Sequence, residues 1–286
     1  MIWRVRHATT YRYAEPVDIA THLLHLSPRP LPHQRVLAES LTCRPEPARI
    51  SNGTDHFHNR AAWLFLDRPH SIFEVVAEAV VEVTPRTLPA PAATPPWEEV
   101  AALATHDPDA AEFALPSPML PPEAEATIYA AASFPSGRPV LQGLLDLNAR
   151  IPRDFAFRPG VTGIATPVSQ VLAQRAGVCQ DFTHLMLCAL RGLGLPARYV
   201  SGYIRTLPPP GGAPLMGADQ SHAWVSAWLG PEYGWVDLDP TNALVVGDEH
   251  VTLGWGRDFH DISPLRGIIL GGGKHSLQVE VDLVAG

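Results

Sequence analysis

What most constrains this chain is a change of hydrophobic period across a proline-rich stretch at residues 85–96, Pro-Arg-Thr-Leu-Pro-Ala-Pro-Ala-Ala-Thr-Pro-Pro. Before it, Trp3-Arg-Val-Arg-His-Ala-Thr-Thr-Tyr-Arg-Tyr alternates with period two. Phe73-Glu-Val-Val-Ala-Glu-Ala-Val-Val-Glu-Val is rich in β-branched residues, as strands prefer. Turn clusters (Pro28-Arg-Pro, Arg44-Pro-Glu-Pro, Ser51-Asn-Gly-Thr-Asp) separate the strand-like runs. Short strands with frequent turns predict an N-terminal β-sandwich over residues 1–95. After the prolines the period becomes helical. Phe182, Leu185, Met186, Ala189, Leu190 and Leu193 fall at i, i+3, i+4, i+7, i+8 and i+11, one apolar face, and Gly194 and Pro196 stop it.

Two earlier helices are expected, one opening at Pro121-Pro-Glu-Ala-Glu and one over Val140–Arg150. Strands follow at Arg198–Ile204, Ser221–Leu229, Trp235–Asp239 and Ser276–Leu283. Helices succeeded by an antiparallel run of strands make an α+β domain. The expected division is therefore a β-sandwich at 1–95, a proline-rich linker at 96–114 and an α+β core at 115–286. A second proline cluster lies at 208–214.

Composition narrows the functional classes. A formal net charge of −8 argues against a broad basic face for nucleic acid. The three cysteines, Cys43, Cys179 and Cys188, are too few and too odd in number for a disulfide framework. The start, Met-Ile-Trp-Arg-Val-Arg-His, has no apolar stretch of a secretory signal. No run approaches the roughly 18 apolar residues of a membrane helix. A cytoplasmic location, with no membrane partner, is the expectation, and free thiols survive there.

The chemistry centres on Cys179. Gly177-Val-Cys-Gln-Asp precedes the amphipathic helix, so Cys179 stands in its first turn, where unpaired N–H groups and the helix dipole favour a thiolate. The bland alternative is a buried structural cysteine. A base is available downstream. Ser221-His-Ala-Trp-Val-Ser-Ala-Trp-Leu alternates as a strand, and after a turn Trp235-Val-Asp-Leu-Asp alternates again. If Leu229–Glu232 forms a four-residue loop, His222 lies opposite Asp239 and Trp224 opposite Asp237. Opposed side chains have Cβ atoms roughly 4.5–5.5 Å apart, close enough for a carboxylate to orient an imidazole. A register shifted by two residues would favour another partner, and Asp239 also suits a strand-ending Asp-Pro-Thr-Asn turn. Asp237 reads as a supporting or surface residue. Nucleophile, base and orienting carboxylate are the parts of a covalent catalyst.

Three blocks carry a resemblance: Gly177-Val-Cys-Gln-Asp-Phe-Thr-His-Leu, Ser221-His-Ala-Trp-Val and Gly234-Trp-Val-Asp-Leu-Asp-Pro-Thr-Asn. Together they resemble the motif blocks of the transglutaminase-like superfamily. The start, Arg6-His-Ala-Thr-Thr-Tyr-Arg-Tyr, is similar to the β-rich N-terminal domain of bacterial members. The run from His250 to Gly267 is similar to their C-terminal pattern, with Phe259 where Tyr is expected. The resemblance implies a papain-like core with Cys179 as nucleophile, His222 as base and Asp239 as its partner. It implies an enzyme that acts on peptide or isopeptide amides of a peptide or protein substrate through a thioester acyl-enzyme. Hydrolysis is the favoured outcome; transfer to an amine, or a non-catalytic binding module, are the alternatives. No metal or organic cofactor is called for, and oligomeric state is open.

The remaining features read as structural. His56 and His58 make a possible metal pair, but a surface turn is the better reading without a third ligand. His184 should turn away from Cys179. Asp181 is expected to anchor the loop before the helix or to hold Arg175. Gly271-Gly-Gly lacks the Gly-Lys-Ser/Thr of a phosphate loop. Arg257 suits a salt bridge better than a substrate carboxylate. Trp224, Trp228, Trp235 and Trp255 either wall a cleft or pack the core.

Overall fold

The computed structural model describes residues 1–205 and 221–286, an α+β protein; the proline cluster at 208–214 lies outside the described residues. Its N-terminal part is organised by β1 (Ile2–Leu24), a 23-residue strand. At about 3.3 Å per residue a straight strand of that length would run to roughly 75 Å. It bends instead, with register irregularities between Arg12 and Val17 and between Val17 and Ile19. The other strands of this half are β2 (Gln34–Arg44), β3 (Arg49–Thr54), β4 (Arg60–Leu66) and β5 (His70–Val83). The first half of β1 pairs with β5, which pairs with β2; its second half pairs with β4, which pairs with β3.

The expected sandwich is thus a single hydrogen-bonded sheet curled on itself. Leu64 and Leu66 of β4 pack with Phe73, Val75 and Ala77 of β5 around Val17, Ala20 and Leu24. Alternation along the strands gave the buried face correctly, but it carries no record that one strand serves both halves.

The chain continues through α1 (Trp97–Ala104), α2 (Pro108–Ala111), α3 (Ala124–Ala131), α4 (Val140–Asp154), β6 (Ala156–Phe157), α5 (Val168–Gln174), β7 (Ala176–Gly177) and α6 (Cys179–Gly192). The stretch expected as a linker at 96–114 is therefore largely helical. Val100, Ala104 and Ala110 are buried in the core, Phe113 shortly after them in sequence is buried too, and Asp107 caps α2 by accepting from the Ala110 N–H. Prolines here open helices, a role open to a residue with no N–H to give.

Helix α6 is buried on every side: Thr183, His184, Leu187 and Cys188 are as hidden as the predicted apolar face. A helix enclosed by α3 and α5 on one flank and by strands on the other has no solvent face to mark. Arg191 near its end is buried, and its guanidinium donates to the carbonyls of Phe113, Ala197 and Arg257.

The second sheet comprises β8 (Ala197–Ile204), β9 (Ser221–Trp228), β10 (Trp235–Asp239), β11 (Leu244–Val245) and β12 (His250–Gly256), in the order β11-β10-β9-β8-β12. The last two strands, β13 (Leu265–Gly271) and β14 (His275–Ala285), leave it and pair with the second and first halves of β1. Strand Ser276–Leu283 was expected within the core; it belongs to the N-terminal sheet. Gly271, Gly272 and Gly273 all have positive φ (95°, 86° and 60°), which lets the chain turn opposite the bend of β1.

The two sheets are fastened together along β12, an edge strand. Trp3, Val5, Val81 and Val281 pack against Tyr203, Val251 and Leu253. Two carboxamides then occupy the edge. Gln34 donates from Nε2 to the Thr252 carbonyl (2.7 Å) and accepts the Thr252 N–H (2.8 Å). Asn59 donates from Nδ2 to the Trp255 carbonyl (2.6 Å) and accepts the Trp255 N–H (2.9 Å). Each side chain imitates a neighbouring strand, satisfying edge groups that would otherwise be open.

Candidate active site

Cys179 is the first residue of α6 and is partly exposed. The turn before it is held by Asp181, whose Oδ2 accepts from the Val178 N–H (2.7 Å) and from Thr162 Oγ1 (2.7 Å). Val178 offers no side-chain acceptor in return, so only one half of a capping box forms. Asp181 therefore anchors the loop, the first of its two expected roles. Gly177 permits this: a Cβ there would stand 2.7 Å from the Asp181 Cβ. The first N–H groups of α6, which have no partner in the preceding turn, remain available beside the sulfur.

His222, near the start of β9, is buried. Its Nε2 lies 2.8 Å from Asp239 Oδ2. A carboxylate only accepts, so Nε2 carries the proton and Nδ1 is the ring nitrogen left open; Cys179 is near enough to help raise the imidazole's pKa. The assumed hairpin register is wrong by two residues. Asp237 pairs with Ser226 and Leu238 with Val225, so Asp239 comes level with Trp224. The loop is six residues long, closed by the Leu229 N–H to the Gly234 carbonyl, with Gly230 and Gly234 at positive φ. Asp239 nevertheless reaches His222 because a diagonal neighbour across two strands stays within range of an imidazole.

Asp239 is wholly buried and surrounded by donors. Oδ1 accepts from the N–H groups of Thr241 (2.9 Å) and Asn242 (3.3 Å); Oδ2 accepts from Asn242 Nδ2 (2.7 Å) as well as from His222. The turn reading and the chemical reading of Asp-Pro-Thr-Asn both hold, since the turn supplies the donors. Burial alone would raise this carboxyl, but the hydrogen bonds and the His222 charge hold it far below the usual range. Burial opposes a charged His222, yet the Asp239 hydrogen bond, the nearby Cys179 and the charge of Asp239 outweigh it and raise its pKa.

Two contributors were missed in the sequence. Asn242 was signalled only as part of the turn motif. His250, buried at the start of β12, places Nε2 3.5 Å from Asp239 Oδ2 and presents its ring edge to Trp224, with centroids 5.3 Å apart. It arrives from two strands away across β8, where Gly202 pairs with His222 and has no side chain to obstruct the Trp224 ring. No local pattern marks such a residue.

The other residues fall outside the site, except Trp224, whose ring lies beside those of His222 (centroids 6.3 Å apart) and His250. Asp237 pairs with Arg86. His184 is buried and accepts from the Phe259 N–H, and burial pushes its pKa down to about 4. Arg257 is held by Asp261 through Nε (2.8 Å) and Nη2 (3.0 Å), the salt bridge expected. His56 bonds Glu112, and among the described residues no group of three or more potential ligands could hold a metal. Trp224 and Trp228 are buried, whereas Trp235 and Trp255 both offer their rings to the Arg198 guanidinium, with centroids 3.5 and 4.7 Å away.

Residues 3–82 match the bacterial transglutaminase-like N-terminal region, and residues 140–240 match the transglutaminase-like superfamily. An uncharacterised protein of Mycobacterium tuberculosis is 40% identical across 99% of this chain and 92% of its own length. The chain belongs to the transglutaminase-like superfamily. Its fold is shared with a candidate cysteine protease from Cytophaga hutchinsonii, at a TM-score of 0.79 and 23% identity over 99% of this chain and 90% of that one. A protein-glutamine gamma-glutamyltransferase of Pseudomonas aeruginosa is 36% identical over 91 residues, 32% of this chain and 14% of that protein. Among the described residues no helix is long and apolar enough to cross a membrane.

Proposed function

We propose that the chain is a cysteine-nucleophile enzyme that cleaves peptide-type amides through a thioester. The observation carrying this is the buried His222–Asp239 pair at 2.8 Å, whose imidazole feels Cys179, the residue that opens helix α6. Cys179 sulfur attacks the carbonyl carbon, forming a C–S bond while the carbonyl electron pair moves to oxygen. N–H groups of the first turn of α6 stabilise that oxyanion. The tetrahedral species collapses, the C–N bond breaks, and imidazolium His222 gives its Nδ1 proton to the departing amine. Water then attacks the thioester, His222 accepts its proton, and the carboxylic acid and thiol are released. Asp239 keeps the proton on Nε2 throughout, so that Nδ1 is the nitrogen that exchanges it.

Water as acceptor needs no second binding site, which favours hydrolysis. The match to a gamma-glutamyltransferase supports a second reading, in which an amine takes the place of water. Incubation with a glutaminyl peptide and excess labelled amine separates the two. Free acid as the main product supports hydrolysis; efficient incorporation of label replaces it with transfer. Turnover that persists in Cys179→Ser would remove both.

A further inference from the structure

The segment joining β6 to α5 is unusual for an exposed loop. Residues 157–165 read Phe-Arg-Pro-Gly-Val-Thr-Gly-Ile-Ala, with no acidic residue. Its large apolar side chains point to solvent: Phe157 is 51% exposed, Val161 42% and Ile164 61%. Loops normally leave such positions to polar residues, and clustered apolar exposure marks a surface that meets something. Here the cluster is bolted to the residues on both sides of Cys179. The Arg158 N–H donates to the Gly177 carbonyl (2.9 Å), Thr162 Oγ1 to Asp181 Oδ2 (2.7 Å) and Gln180 Nε2 to the Ile164 carbonyl (2.9 Å). Residues 177, 180 and 181 bracket the nucleophile, so the segment is anchored on both sides of it.

We propose that Phe157, Val161 and Ile164 form an apolar subsite that receives a bulky aliphatic or aromatic side chain of the acyl-donor polypeptide, next to the amide that reacts. This rests on the cysteine-nucleophile reading above. The occupant is the substrate itself, because the segment is hydrogen bonded to residues 177, 180 and 181, on both sides of the nucleophile. Arg158 is the sole charged group of the segment, so an acidic neighbour is tolerated at the margin while the centre selects apolar side chains.

The subsite is tested with two haloketones, acetyl-leucyl and acetyl-glycyl chloromethyl ketone. In both reactions sulfur displaces chloride, giving a thioether and chloride ion. Iodoacetamide, too short to reach the rim, serves as the reference for the thiol. The wild type is expected to react about 10- to 100-fold faster with the leucyl reagent, the range an apolar pocket achieves for an aliphatic side chain. In Phe157→Ser/Ile164→Ser, and to a lesser degree in Ile164→Ser alone, that ratio falls towards one. Equal rates in the wild type, or a preference that survives in the double variant, would overturn the subsite. A Cys179 that reacts with iodoacetamide no faster than a model thiol would instead overturn the nucleophile, and the subsite with it.

Discussion

Asp239→Asn isolates the logic of the candidate site, because the two side chains share a shape and differ in what they can accept. Oδ1 faces two fixed backbone donors, the N–H groups of Thr241 and Asn242. An amide must therefore keep its oxygen there and turn its NH2 towards the Oδ2 position. That NH2 meets His222 Nε2 at about the present 2.8 Å and donates to it, so the imidazole proton moves to Nδ1. A neutral ring with Nδ1 already protonated cannot take the proton of Cys179. Losing one charge-assisted hydrogen bond costs about 1.5–3 kcal/mol, or roughly 10- to 160-fold. Enforcing the wrong tautomer carries the loss in turnover towards the ~10⁴-fold seen when the equivalent carboxylate of a serine protease triad is amidated.

The assay is the rate of iodoacetamide labelling of Cys179 at pH 6.5, with Cys179→Ser as the blank. Background is low because burial pushes Cys43 up to about 11 and raises Cys188. A loss of about 10- to 100-fold, with circular dichroism unchanged, is the expected result, since an ordinary thiol is still about 1% thiolate at pH 6.5. Labelling within threefold of the wild type would refute the assignment of Asp239.

Other perturbations separate the site from its support. Acid should destabilise the fold: burial pushes His7, His22 and His184 down to about 4. Between pH 6.5 and about 4 the unfolded chain binds more protons, so stability falls as pH drops through that window, which urea melts at a series of pH values would register. His222 acts with the opposite sign. Its raised pKa contributes stability that is complete below about 6.5 and lost as pH rises through the folded value, so His222→Gln should flatten the alkaline side of the same curve. Gly177→Ala sets a Cβ 2.7 Å from Asp181, which is too buried to yield, and should slow iodoacetamide labelling several-fold while lowering Tm. Asn59→Ala leaves the Trp255 N–H and carbonyl unpaired and should cost about 2–4 kcal/mol in urea unfolding.

How much of this was legible in the sequence differs by length scale. Cys179, His222 and Asp239 could be named because each sits in a local pattern: a helix start, a strand and a turn. The hairpin register could not. A six-residue loop and a four-residue loop leave the same alternation in both strands, and only the backbone of Gly230 and Gly234 distinguishes them. The linker expected at 96–114 conceals α1 and α2 because prolines suit an extended linker and a helix start alike. Least legible were contacts made by returning strands. Nothing in Leu265–Gly271 or His275–Ala285 names β1, some 250 residues earlier, as the partner.

Those returning contacts bear on the site through β12. The strand carries His250 to Asp239 at one end and is clamped by Gln34 and Asn59 further along. At Gly254 a side chain would collide with the Asn59 amide, so the clamp and the glycine require each other. Gln34 is backed by the Arg29 carbonyl, and Arg29 stacks on Trp255 at 3.6 Å while donating to Asn59 Oδ1. The N-terminal sheet thus sets the position of the strand that delivers a second imidazole to the carboxylate beneath His222. A loosening at Asn59 should accordingly reach Cys179 as well as the stability of the fold. Iodoacetamide labelling of Asn59→Ala, run under conditions where the variant is fully folded, tests that reach. A several-fold slower rate is expected, and a rate equal to the wild type would confine the role of the N-terminal sheet to holding the core together.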